Sequence, residues 1–79
     1  MNDIVLEEIM RTEQEILSLE SRIREDGERL SRLYREYLLN QDKVRYDNEI
    51  LPLSRYIDEN HDRHAYLVER RTNLLKQLG

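Results

Sequence analysis

Cysteine is absent from this chain, so neither a disulfide nor a thiolate-bound metal can stabilise it, and no Cys/His nucleophile can be assembled. Tryptophan and phenylalanine are absent too, and the five aromatic residues are all tyrosine. Glycine occurs twice and proline once, which excludes a glycine-rich phosphate loop and leaves few places where the chain is told to turn. No apolar run approaches the ~20 residues of a membrane span, and the opening ~30 residues hold no basic segment followed by an apolar stretch of signal length. These absences predict a cytoplasmic protein that is not an enzyme, carries no cofactor and does not meet the membrane. The net charge of −4 gives the chain as a whole no attraction to phosphate backbones.

What remains is charge and aliphatic side chains. Charged residues make up 38% and apolar residues another 38%, the balance of long amphipathic helices. A mean hydropathy of −0.89 would also suit a disordered chain, but disordered chains lack periodic Ile and Leu. Here Ile9, Ile16, Ile23, Leu30, Tyr37, Val44 and Leu51 recur at every seventh position. Seven residues close two helical turns and return a side chain to the same seam, so the repeat predicts an all-α fold of coiled-coil type. The companion seam position reads Val5, Thr12, Leu19, Asp26, Leu33, Asn40 and Asp47, alternating apolar with polar through most of its length. Polar groups on a seam weaken it and restrict its register, because a misaligned pairing leaves them without partners.

Asn2 or Asp3 is the expected cap of the first helix. Gly27 keeps Ile23 and Leu30 in phase and is read as a weak point inside that helix rather than a turn. Pro52 is the firmer punctuation, since it lacks a backbone donor and its ring crowds the preceding turn. We therefore expect a single helical domain over residues 1–79, with one helix over about 3–46, a break at about 47–52 and a second helix over about 53–78. The second stripe reads Leu53, Ile57, Asn60, His64, Leu67, Arg71, Leu74 and Leu78. Two helices so joined form a long helical hairpin. A competing turn at Asn40–Lys43 would set Ile9 near Leu74, Ile16 near Leu67 and Leu30 near Leu53, but it leaves the repeat through Val44 unexplained. Breaks at both Gly27 and Pro52 would give three helices instead.

Apolar residues spill beyond the seam at both ends of the first helix: Ile4, Leu6, Met10 and Leu17 near the start, then Tyr34, Leu38 and Leu39. A two-helix seam needs only a narrow stripe, so these broader zones predict a third or fourth helix packed there, in a dimeric helix bundle. A chain of this size buries only about 60% of its extended surface alone, and without disulfides oligomerisation is the remaining support. The expected protein interface comprises Val5, Leu6, Ile9, Met10, Ile16 and Leu17, then Leu19, Ile23, Leu30 and Tyr37, with Leu67, Leu74 and Leu78 from the second helix. The partner is a second copy, with a heterologous helical protein as the alternative occupant.

Two other chemistries have weaker footing. Asp58, His61 and His64 can share a helix face and make half of a carboxylate di-metal site, but Arg63 beside them disfavours a cation, so no metal is expected. The eleven Arg against two Lys could favour bidentate contacts to phosphate, yet Arg22, Arg24, Arg29, Arg32 and Arg35 alternate with Glu20, Glu25, Glu28 and Glu36, which predicts ion pairs along the helix. The best basic patch, Arg70, Arg71 and Lys76, is short. In outline the pattern resembles short helical hairpins such as bacterial secretion co-chaperones and small phage or plasmid regulators, with no residue motif tying it to one of them. The reading is a non-enzymatic protein-protein interaction module, a scaffold, adaptor or chaperone-like subunit. Its alternative is a small helical regulator that binds structured RNA or other nucleic acid.

Overall fold

A computed structural model describes residues 2–79 and consists of two antiparallel helical arms, 59 Å long and 15 Å across. Helix α1 (Asp3–Asn40) forms the outward arm. The return arm runs through a short turn α2 (Lys43–Arg45), a π-helical stretch at Tyr46–Ile50, and α3 (Leu51–Leu78). Among the described residues there is no strand.

α1 forms because a seven-residue apolar repeat coincides with a segment free of proline, and Gly27 is carried inside the helix as expected. Asn2 takes the cap position without a side-chain cap bond, although its carbonyl accepts the Leu6 amide at 2.9 Å. The seam is occupied along its length: Thr12, Ile16, Leu19 and Leu33 are buried, while Val5, Ile9, Ile23, Asp26, Leu30 and Tyr37 are half-buried. Thr12 meets its polar requirement within the helix by donating to the Glu8 carbonyl at 2.7 Å.

The chain reverses at Gln41 and Asp42, not at 47–52. Gln41 adopts the left-handed conformation (φ 50°, ψ 40°) and its amide donates to the Tyr37 carbonyl at 2.6 Å, which terminates α1. Asp42 then caps the return arm, its side chain accepting the Arg45 amide at 3.2 Å. The expected helix over about 3–46 is therefore shorter, and the expected break is itself helical. Val44, which extends the repeat in the sequence, lies beyond the reversal and is exposed. Pro52 ends nothing: it is the second residue of α3, directly after the wider π turn in which the Leu51 amide reaches back to the Tyr46 carbonyl. Proline has no amide to donate and its ring crowds the carbonyl four residues back, so a widened turn beside it keeps the arm helical without that bond.

Reversal at Gln41 sets the register of the arms. Ile16, Leu19 and Leu67 form one buried cluster, with Val68 packed against it. Ile50, Ile57, Asn60 and Leu74 are buried along the rest of the return arm. Near the turn the Tyr46 ring stacks at a tilt on Tyr37 (5.0 Å) and meets Tyr34 edge-on (6.4 Å).

Ion pairs bracket the seam on both sides. On one flank Glu8 meets Arg70 (3.1 Å) and Glu15 meets Arg63 (3.3 Å). On the other Glu13 meets Arg71 (2.7 Å), while Glu20 comes only to 3.9 Å from His64 Nε2, beyond hydrogen-bond reach. The pairs expected along α1, such as Glu20 with Arg24 and Glu28 with Arg32, are not closed among the described residues; Arg24 donates to Ser21 Oγ instead, at 3.4 Å. Carboxylates of α1 reach across to α3 because the return arm holds Arg63, Arg70 and Arg71 beside the seam. At the turn, Arg45 joins Glu36 and Glu49, and the Glu49 hydrogen bond with the surrounding carboxylate charge raises its guanidinium above the usual arginine range.

Candidate interaction surface

The residues expected at an interface divide into two sets. Ile16, Leu19, Leu67 and Leu74 are buried between the two arms of one chain, and Val5, Ile9, Ile23, Leu30, Tyr37 and Leu78 are half-buried along the same seam. These residues hold the hairpin together. Leu6, Met10 and Leu17 are 44%, 64% and 62% exposed and belong to a different face.

That face can be located from the helix period. Leu6, Met10, Glu13, Leu17, Glu20, Arg24, Gly27, Ser31, Tyr34 and Leu38 follow one another at alternating spacings of four and three. Each is displaced by one residue from the seam set, which rotates the stripe by about 100° around α1. It lies on the flank where Glu13 and Glu20 face Arg71 and His64, and a shallow depression there is lined by Glu20, Ile23, Arg24, His61 and His64. Its two ends are apolar and its middle is charged or small. Tyr34, Leu38 and, next to them, Leu39 and Val44 are exposed at the turn end.

The exposed area is large for the mass. The chain presents 6154 Å² to solvent. A compact monomer of its 9.7 kDa exposes about 5,100 Å², so roughly 1,000 Å² is left open. A two-helix rod has only one internal seam and cannot wrap its remaining faces.

The middle of the seam is polar. Asp26 Oδ2, Asn60 Nδ2 and His64 Nε2 are buried and have no hydrogen-bond partner among the described residues. His64 sits at the seam edge, while Asp58 and His61 are exposed, and no group of three or more metal-ligating side chains gathers among the described residues. Two members of the short basic patch, Arg70 and Arg71, are occupied by Glu8 and Glu13. No helix among the described residues is long and apolar enough to cross a membrane.

Two features of this arrangement were not anticipated. Ile50, the most buried side chain (1% exposed), lies three residues before Leu53, so extending the second stripe backward would have found it. Leu75, 49% exposed, falls outside both stripes and carries no periodic signal. The chain matches no family model, no curated protein and no solved structure.

Proposed function

We propose that this protein is a cytoplasmic, non-enzymatic interaction module, a scaffold, adaptor or chaperone-like subunit, that works by coiled-coil-type packing of its exposed α1 face against other helices in an oligomer. The observation that carries the reading is the exposure of Leu6, Met10 and Leu17 on one face of α1 after the hairpin has already used its own seam. Fully burying an exposed large aliphatic side chain contributes about 1.5–3 kcal/mol, and Leu6, Met10, Leu17 and Leu38 retain 44–72% of their exposure to contribute on docking. The partner is a second copy of the chain, and a heterologous helix would use the same face. Binding to structured RNA has less support, because Arg70 and Arg71 already meet carboxylates.

Light scattering tests the reading. Wild-type protein at tens of micromolar is expected to show more than one chain's mass, and Leu17→Asp to reduce it to a single chain with helical circular dichroism retained. Leu17 is used because Ile9 and Ile16 lie between the arms, where a carboxylate would unfold the hairpin itself. A wild-type protein that stays at one chain's mass at every concentration contradicts self-association.

A further inference from the structure

Resting on the self-association just proposed, we infer that the exposed α1 stripe is self-complementary and takes a second copy of α1 in antiparallel orientation, about a two-fold axis that passes α1 beside Arg22. In this register Leu6 faces Leu38 of the second copy, Met10 faces Tyr34, and Leu17 faces Gly27, each contact being made twice. The apolar ends of the stripe thus cover one another. Next to the axis Glu20 faces Arg24 of the other copy, placing unlike charges at both symmetry-related crossings.

Competing registers fail on the same residues. Parallel alignment sets Glu13, Glu20 and Arg24 each against its own copy, so every charged layer is repulsive. An antiparallel shift by seven residues one way leaves Tyr34 and Leu38 unmatched and points Leu17 at Glu20. The opposite shift leaves Leu6 and Met10 unmatched and sets Leu38 against Glu13. The chosen axis also falls at the middle of α1 (Asp3–Asn40), so the two hairpins overlap along their whole length.

Gly27 supplies an independent observation. Glycine inside a helix costs about 1 kcal/mol relative to alanine. Nothing within the chain requires it, since its φ is not positive and a β-carbon built there would meet no atom within 4 Å. A half-buried position without a side chain, on the same stripe as Leu6, Met10 and Leu17, is what close approach of the second copy's Leu17 would use. α1 would then contact α3 through one stripe and its copy through another about 100° away, as a helix does in a four-helix bundle.

Sedimentation equilibrium on charge variants tests the register. Glu20→Arg and Arg24→Glu each place like charges at both crossings, and each alone is expected to dimerise about tenfold or more weakly than wild type. An equimolar mixture of the two restores unlike charges at both crossings and is expected to recover wild-type affinity as a heterodimer. Gly27→Gln should keep or raise helicity, yet weaken the dimer by a similar factor. If wild type dimerises but the mixture is no tighter than either variant alone, or Gly27→Gln dimerises as wild type does, the register is wrong while self-association stands. If wild type itself stays monomeric, both fail.

Discussion

Asn60 is buried on the seam with an amide nitrogen that finds no partner, and Asp26 and His64 carry orphaned atoms on the same seam. An unsatisfied buried polar group costs about 1–3 kcal/mol, so Asn60→Leu is expected to raise unfolding free energy by about that much in urea titrations. A loss of stability would show that the amide has a partner in solution. Leu67 is the opposite case: it is 2% exposed in the Ile16 cluster, and Leu67→Ala should cost about 2–5 kcal/mol by the same titration. At this scale the sequence was legible wherever side chains obey the repeat. Ile16, Leu19, Leu67 and Leu74 sit on stripes and are buried, whereas Val44 sits on a stripe and is exposed, because periodicity reports phase and not whether the partner arm is still present.

Of the two sites at which the sequence could reverse, the preferred one at 47–52 is helical and the competing one at Asn40–Lys43 is the turn. Pro52 carries the stronger local signal, but the return arm stays helical through it, because the wider π turn just before it accommodates both the missing amide and the bulk of the ring. The actual turn rests on Gln41, a residue type with no marked preference for the left-handed region, and on the Asp42 cap. Left-handed backbone costs a non-glycine residue about 1–2 kcal/mol, partly offset in glycine by its greater unfolded freedom, so Gln41→Gly is expected to stabilise the hairpin by roughly 0.5–1 kcal/mol in thermal melts. Pro52→Ala should leave the reversal at Gln41–Asp42 in place, checked by amide chemical shifts; relocation of the turn would contradict the part assigned to Pro52. The apolar ends of the α1 stripe were legible as a surplus over what one seam needs, yet their separation from the seam set became clear only once α3 was in place to define which face it covers.

On the scale of the whole molecule the hairpin is a rod of 59 by 15 Å with a single internal seam, and its open area exceeds that of a compact chain of equal mass by roughly 1,000 Å². The proposed side-by-side pairing through α1 would close much of that excess without lengthening the particle. Small-angle X-ray scattering tests this most directly, because it reports mass and length together. A forward intensity equal to twice the 9.7 kDa chain, with a long axis still close to the 59 Å of one hairpin, is the predicted result. A particle of one chain's mass across the whole concentration range would contradict it.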